Sequence, residues 1–192
     1  FLHCDVLIIG GGPSGLAAAL EAGRANLNVI IADDDFELGG RLNSENFFIN
    51  NNTSSNWVSN TLVELSQLKN VRIMKRTTIY GSYDHGIFGG LEIKFDHYKH
   101  GNKKPRQILW KIYTKYSILC SGATERSIAF GNNDRPGIML AGSLRAYLNR
   151  WSVCPGRNII VFTNNDDGFK TAIDLKAKNI NVKAIIDSRK NS

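Results

Sequence analysis

The sequence predicts an α/β fold, and three observations support that prediction. An apolar strand at Val6–Ile9 runs directly into the turn GGGPSG at residues 10–15, and an alanine-rich helix follows. A second apolar strand, Val29–Ala32, then ends at the acid Asp33. The same strand–helix–strand order returns between residues 158 and 186. A glycine-rich turn between strand and helix, with an acid at the end of the next strand, is typical of a Rossmann-like FAD/NAD(P)-binding domain.

The glycine turn is the first candidate binding site. Gly10 permits the tight turn, Gly12 lets a pyrophosphate approach the backbone, and Gly15 lets the helix and the strand pack closely. Pro13 suits the first helical position, because its missing N–H would have no partner there in any case. The positive end of the helix would face the phosphates. Asp33 lies 18 residues beyond Gly15, near the spacing of the acid that hydrogen-bonds an adenosine ribose.

The remaining elements of the first domain follow in chain order. The first helix is predicted over Pro13–Ala25, and apolar residues at helical spacing predict a second over Asn56–Leu68. A third strand is predicted over Val71–Met74. The block Gly86–Thr114 alternates apolar and polar residues, which predicts antiparallel strands of a β-meander. A short buried strand from Lys115 is predicted to end in small residues, where a ligand can come close.

We expect two domains in this chain. Residues 1–155 are predicted to form a dinucleotide-binding domain with a β-meander insert at about 82–116. Residues 156–192 are predicted to begin a second Rossmann-like domain that is truncated here. Its turn TNNDDG at 163–168 lacks the glycines and carries two aspartates, so a pyrophosphate would meet like charge. The start at Phe1 rather than Met also leads us to expect a fragment of a longer protein.

Charge and hydropathy exclude some classes of function. The net charge is +7, and much of the excess lies in the segment KHGNKKPR at 99–106. This segment is predicted to be a hairpin tip between strands Leu91–His97 and Gln107–Thr114, and we interpret it as a solvated loop rather than a nucleic-acid surface. A surface for acidic partners stays open. The sequence has no apolar run near the ~18 residues of a membrane span.

Cysteine and acid patterns narrow the chemistry further. Cys4, Cys120 and Cys154 are widely separated and odd in number, and no C-x-x-C motif occurs. This argues against disulfides, against a zinc site and against a thiol–disulfide reductase, and it suits a reducing compartment. No nucleophile–base pair and no catalytic carboxylate pair is recognisable, so we expect no catalytic residue in this chain.

Several longer stretches are distinctive beyond the glycine turn. They are YDH at 83–85, PRQILWK at 105–111, the segment 124–139, YLNR at 147–150 and VFTNND at 161–166. Together, over nearly the whole chain, they resemble the alpha subunit of heterotetrameric sarcosine oxidases. Alpha subunits of that family are several times longer than this chain, which agrees with a fragment.

The resemblance implies a bacterial, cytoplasmic amine oxidase that demethylates sarcosine to glycine. Such an enzyme makes hydrogen peroxide and passes the one-carbon unit to tetrahydrofolate or releases formaldehyde. It implies that the beta subunit carries the FAD that oxidises the amine, that FMN lies near the alpha–beta contact, and that gamma and delta subunits complete the complex. For the dinucleotide domain of the alpha subunit it implies NAD as the first choice, with FAD as the alternative.

The resemblance also implies which residues bind the cofactor. Asp33 would take the ribose hydroxyls and disfavour a 2′-phosphate, Gly40 and Arg41 match a G-G-R element near phosphates or ribose, and Thr78 sits where the adenine passes. The complete set of expected cofactor-binding residues is Gly10, Gly12, Pro13, Ser14, Gly15, Asp33, Asp34, Gly40, Arg41, Thr78, Ser121 and Gly122.

Two other functions stay open at this point. One is a structural or docking module in which the dinucleotide fold supports a subunit interface and the hydrophobic, basic hairpin contacts partners. The other is a free-standing FAD- or NAD(P)-dependent reductase of the same superfamily, against which the missing dithiol and the altered second turn argue. Binding of NAD, NADP and FAD would discriminate between the three.

Overall fold

The structure, a computed structural model, describes residues 1–46, 48–95 and 105–190. The chain divides into two compact units: residues 1–42 with 48–122, and residues 43–47 with 123–192. The division falls after Gly122 rather than at residue 155, where we expected it. The reason is tertiary: Leu144 and Leu148 share a buried cluster with Val161 and Leu175 of the second unit. The predicted hairpin tip at 99–104 lies outside the described residues.

The described strands of the first unit are β1 (Leu2–Ile9), β2 (Val29–Ala32), β3 (Phe48–Ile49), β4 (Asn52–Thr53), β5 (Val71–Met74), β6 (Thr77–Tyr83), β7 (Ile87–Ile93) and β8 (Gln107–Leu119). Six of them form one sheet in the order β5-β2-β1-β8-β7-β6, and β3 and β4 form a small separate hairpin. β1 pairs in parallel with β2 and β8, and β2 with β5, whereas β6, β7 and β8 form an antiparallel meander. The predicted α/β fold is confirmed.

Two helices of the first unit, α1 (Pro13–Arg24) and α2 (Ser54–Gln67), pack against each other. α1 buries Leu16 and Ala19 on the face that the glycine turn directs inward. α2 begins two residues before the predicted start, because the Thr53 side chain caps it by accepting a hydrogen bond from the Asn56 N–H at 3.3 Å. A side-chain oxygen at this position satisfies one of the helix's otherwise unpaired donors.

Strand β8 differs from the prediction of two separate strands. It runs without interruption for 13 residues, antiparallel to β7 as far as Tyr113 and parallel to β1 up to Leu119. The sequence predicts that the far part of β8 is buried, yet Tyr116 is 71% and Leu119 is 74% exposed. Among the described residues only β1 pairs with this far part, which accounts for the exposure.

The second unit contains the second strand–helix–strand pattern that the sequence predicts. It comprises α3 (Ala141–Arg145), which continues as one π-helical turn over residues 146–150, and then β9 (Asn158–Thr163), α4 (Asp167–Ala177) and β10 (Asn181–Asp187). β9 and β10 pair in parallel. Within the described parts of both units, no helix has the length and apolar character that a membrane span requires.

Candidate dinucleotide-binding site

The carboxyl ends of three neighbouring strands meet at the glycine turn. Gly10, directly after β1, donates its N–H to the Ala32 carbonyl of β2 at 2.8 Å. Cys120, directly after β8, donates its N–H to the Ile9 carbonyl of β1 at 2.7 Å. The glycine turn, Asp33 and residues 121–122 therefore lie at one edge of the sheet, where open α/β sheets bind their ligands.

Two glycines of the turn are required by packing. Gly10 has φ +107°, and a Cβ there would lie 2.3 Å from the Cys120 carbonyl oxygen. A Cβ on Gly15 would lie only 1.8 Å from the Gly10 carbonyl oxygen. These close approaches hold β1, β8 and the start of α1 together, so the tasks that the sequence analysis gives to these two glycines agree with the geometry.

Gly12 has a different environment from the other glycines of the turn. It caps α1 with φ −71° and ψ −174°, a conformation open to any residue, and nothing lies within 4 Å of an added Cβ. α1 carries no acid in its first turn, and its N-cap makes no side-chain hydrogen bond. The positive end of the helix therefore faces open space beside the Gly12 backbone, an arrangement that accommodates a phosphate group.

Asp33 is hydrogen-bonded to the glycine turn itself. Its Oδ2 accepts the Gly11 N–H at 2.5 Å, and its Oδ1 accepts the Asp35 N–H at 2.8 Å. Each carboxylate oxygen can accept more than one hydrogen bond, so Asp33 retains capacity for a ribose hydroxyl. The sequence analysis assigns no role to Gly11, because this residue occupies a variable position of the G-x-G-x-x-G motif. A Cβ there would lie 2.7 Å from Cγ of Leu38.

A loop from residue 38 to 43 packs onto the same turn. Gly39 donates its N–H to the Gly11 carbonyl at 2.8 Å. Gly40 has φ +53°, and a Cβ on it would lie 3.0 Å from Cα of Gly12. Arg41 follows in a 3₁₀ turn over Gly40–Asn43 and is exposed. The structure thus places the predicted Gly40–Arg41 element next to the turn.

The other predicted site residues lie at the margins of this edge. Thr77 donates its N–H to the Asp33 carbonyl at 2.7 Å and is buried, whereas Thr78 is the next, exposed residue of β6. The sequence predicts a site role for Thr78, but the backbone of Thr77 is the one that is hydrogen-bonded to Asp33. Gly122 has φ +69° and open space around an added Cβ, and Ser121 precedes it. Burial raises the pKa of the neighbouring Cys120 thiol.

The corresponding turn of the second unit carries two acids that are paired with arginines of the same unit. Asp167 stands in the first turn of α4, and its carboxylate accepts a hydrogen bond from the Arg145 guanidinium. Asp166 pairs with Arg189 at 2.9 Å, and Asp187 also binds that arginine. These carboxylates raise the pKa of Arg189, with Asp187 the larger contributor. The first turn of α1 carries no acid, whereas the corresponding turn of the second unit carries carboxylates that are paired with arginines.

Comparison with known proteins identifies related sequences. Residues 5–85 match the family model described as FAD dependent oxidoreductase. The sarcosine oxidase subunit alpha of Rhizobium meliloti (strain 1021) is 45% identical over 188 residues, which cover 97% of this chain and 19% of that protein. The subunit alpha of Corynebacterium sp. (strain P-1) is 39% identical over 191 residues, 98% of this chain and 20% of that protein. This chain thus spans about one fifth of the length of these relatives.

Solved structures give the same fold. L-proline dehydrogenase from P. horikoshii has a TM-score of 0.78 at 26% identity, covering 100% of this chain and 37% of that one. Thioredoxin reductase from T. acidophilum has a TM-score of 0.64 at 16% identity, covering 96% and 55% respectively, and at that identity the likeness concerns the fold alone. These matches confirm the Rossmann-like α/β fold.

Proposed function

We propose, on the premise that this chain is a relative of the sarcosine oxidase alpha subunits, that it is the dinucleotide-binding segment of such a subunit and that its cofactor is NAD. The observation that carries the proposal is the open backbone at Gly12. It lies at the start of a helix without an acid in its first turn, beside the Asp33 carboxylate. The residues present fit a dinucleotide at this edge of the sheet.

The proposed contacts follow from this geometry. The pyrophosphate would lie over Gly12 and the first N–H groups of α1, near Ser14. The adenosine ribose would donate to Asp33, with exposed Asp34 at the same end, and the exposed cation of Arg41 would offset phosphate charge. The remaining proposed contacts are at Gly10, Pro13, Gly15, Gly40, Thr78, Ser121 and Gly122. When bound, NAD would supply a nicotinamide ring that accepts or donates hydride.

NAD is the first choice because the resemblance to sarcosine oxidase alpha subunits implies it, and charge separates it from NADP. A 2′-phosphate would face the Asp33 carboxylate, so like-charge repulsion disfavours NADP. FAD is the second candidate, because residues 5–85 match a FAD dependent oxidoreductase model. NAD and FAD share the adenosine and the pyrophosphate, so the glycine turn would suit either.

For the whole protein we propose the reaction of sarcosine oxidation. Sarcosine would be demethylated to glycine with formation of hydrogen peroxide, and the one-carbon unit would go to tetrahydrofolate or leave as formaldehyde. The amine would be oxidised at an FAD on a beta subunit, with FMN near the contact, in a cytoplasmic complex that also holds gamma and delta subunits. The role of this segment is then to bind a dinucleotide, and the chemistry on the amine takes place elsewhere.

Titration of NAD, NADP and FAD into this chain by calorimetry tests the proposal. We expect NAD to bind most tightly, FAD more weakly, and NADP least, because of the Asp33 carboxylate. Circular dichroism of the same sample verifies that the chain is folded. A folded chain that binds none of the three would overturn the proposal and favour a docking module. Tighter binding of FAD than of NAD would replace NAD with the flavin.

A further inference from the structure

Phe36 is a large apolar side chain that is 49% exposed in the loop after β2. This loop follows Asp33 directly and lies entirely in the first unit. Single exposed apolar residues are common on protein surfaces and carry no meaning by themselves. Phe36 differs from them because hydrogen bonds fix its backbone beside the acid that is the candidate partner of the ribose.

Asp35 orders the backbone at Phe36. Its Oδ1 accepts the Phe36 N–H at 2.7 Å and the Glu37 N–H at 3.4 Å. A carboxylate that accepts the N–H two residues further on stabilises a turn of this kind. The N–H of Asp35 donates to Oδ1 of Asp33 at 2.8 Å, and its carbonyl accepts the Arg76 N–H at 2.9 Å. The residue before Phe36 is therefore bonded directly to the Asp33 carboxylate.

The far end of the same loop is anchored on the glycine turn. Leu38, two residues after Phe36, is 0% exposed, and a Cβ on Gly11 would lie 2.7 Å from its Cγ. Gly39 donates its N–H to the Gly11 carbonyl at 2.8 Å. The loop is thus held at both ends by contacts within the first unit, and it carries an exposed aromatic ring at the same edge of the sheet as the glycine turn.

The contacts proposed so far give the adenine ring no apolar surface. The pyrophosphate is assigned to Gly12 and the ribose to Asp33, whereas Thr78, the residue expected beside the adenine, is polar and exposed. Thr78 follows Thr77, whose N–H donates to the Asp33 carbonyl at 2.7 Å, so the start of β6 and the loop of Phe36 both adjoin Asp33. Nucleobases are flat, and aromatic side chains bind them by stacking.

We propose that Phe36 is the stacking surface for the adenine ring of the bound dinucleotide. With the ribose on the Asp33 carboxylate, the base would extend along the loop to Phe36 and have Thr78 at its other side. The inference rests on the proposed function, because its ligand is the adenosine half of the same dinucleotide. NAD and FAD share this half, so the assignment applies to either cofactor.

Three variants of Phe36 test the contact in the full chain. Phe36→Ala removes the ring, Phe36→Leu keeps an apolar side chain without a ring, and Phe36→Trp offers a larger ring. Phe1→Ala is the matched control, because Phe1 is an exposed phenylalanine of the same unit that precedes β1, whereas the glycine turn follows that strand. Circular dichroism verifies that each variant is folded.

Two measurements are made on each variant. Calorimetry gives the affinities for NAD and for adenosine monophosphate. Nuclear Overhauser effects between the ring protons of adenine and those of phenylalanine report the contact itself in the NAD complex. A merely structural role of Phe36 in the loop would lower the affinity without producing such a signal.

We expect Phe36→Ala to weaken the binding of NAD and of adenosine monophosphate about tenfold each, because the stacking of the base is lost. Phe36→Leu should retain part of the affinity, and Phe36→Trp should bind at least as tightly as the parent. Phe1→Ala should change neither affinity by more than about twofold. The Overhauser effect should be present in the parent and absent in Phe36→Leu.

Parental NAD affinity in Phe36→Ala would overturn the inference. A loss of the same size in Phe1→Ala, or a parent complex without an Overhauser effect from adenine to the Phe36 ring, would also overturn it. If the parent chain binds no NAD, the proposed function fails and adenosine monophosphate decides on the adenine contact. Binding of this nucleotide that weakens about tenfold in Phe36→Ala would then support the contact, whereas no binding or equal binding would overturn it.

Discussion

The carboxylate of Asp33 accepts the Gly11 N–H at 2.5 Å, so the acid that ends β2 is bonded to the turn that follows β1. Asp33 thus has a place in the architecture before any ribose is bound. The same carboxylate also accepts the Asp35 N–H at 2.8 Å. The acid therefore bonds to the glycine turn and to the loop after β2, and under the proposed function it also offers the ribose an anionic acceptor.

Asp33→Ala should weaken NAD binding more than Arg41→Ala. The alanine variant lacks the charged group that would accept a hydrogen bond from the ribose, and its Gly11 N–H has no carboxylate to bind. Hydrogen bonds to charged groups contribute about 1.5–3 kcal/mol. We therefore expect a loss of about 10- to 100-fold in affinity, measured by calorimetry. Equal affinities in Asp33→Ala and the parent would refute this role of Asp33.

Gly15→Ala should destabilise the first unit without any ligand. The added Cβ would lie 1.8 Å from the Gly10 carbonyl oxygen, so α1 would have to move away from the turn. Overpacking of this kind costs about 1–3 kcal/mol or more of the free energy of unfolding, which a urea titration measures. Gly131→Ala, at a glycine with open space around an added Cβ, is the control. A Gly15→Ala chain as stable as that control would contradict the packing.

NAD should bind with a stoichiometry of one per chain. The second turn holds Asp167 paired with Arg145 and Asp166 paired with Arg189, so a pyrophosphate there would have to displace both pairs. Calorimetry reports the stoichiometry directly. A second binding event would contradict this expectation, and its strengthening in an Asp166→Ala, Asp167→Ala double variant, which lacks the repelling carboxylates, would locate it at the second turn.

The three cysteines should react with iodoacetamide in order of exposure. Cys154 is exposed, whereas burial raises the pKa of Cys120 and, with a larger buried fraction, of Cys4. Because the thiolate is the reacting species, a raised pKa slows alkylation near neutral pH. We expect Cys154 to react first and Cys4 last, as mass spectrometry of peptides over time would show. Alkylation of Cys120 as fast as that of Cys154 would contradict its environment.

The sequence predicts those parts of the first unit whose position depends on neighbouring residues, such as the glycine turn and the short buried strands. The G-x-G-x-x-G turn between a strand and a helix predicts the tasks of Gly10 and Gly15. The bounds of β2 and β5 agree with the sequence, because short apolar runs between turn residues define them. The sequence does not show that Thr77, rather than Thr78, is the buried residue next to Asp33. The two threonines are adjacent and face opposite sides of β6, and only the pairing of the strand decides which side is buried.

Features that depend on distant contacts were not visible in the sequence. Arg145 lies in a segment of ordinary helical composition, yet it is buried, and one of its carboxylate partners, Glu45, stands 100 positions earlier in the chain. The sequence predicts two strands where the structure has the single strand β8, because the first half of β8 alternates in polarity and the second half does not. The division after Gly122 follows from the contacts of Leu144 and Leu148 with the second unit, which no local pattern records.

Comparison of NAD binding by the parent chain and by Gly12→Ala tests the proposed site most directly. An added Cβ at Gly12 meets no atom within 4 Å, and the backbone conformation suits alanine. We therefore expect the free energy of unfolding to change by no more than about 0.5 kcal/mol. The methyl group would occupy the space of the pyrophosphate, so NAD affinity should fall at least about tenfold, or about 1.4 kcal/mol. A folded Gly12→Ala chain that binds NAD as tightly as the parent would contradict a dinucleotide site at this turn.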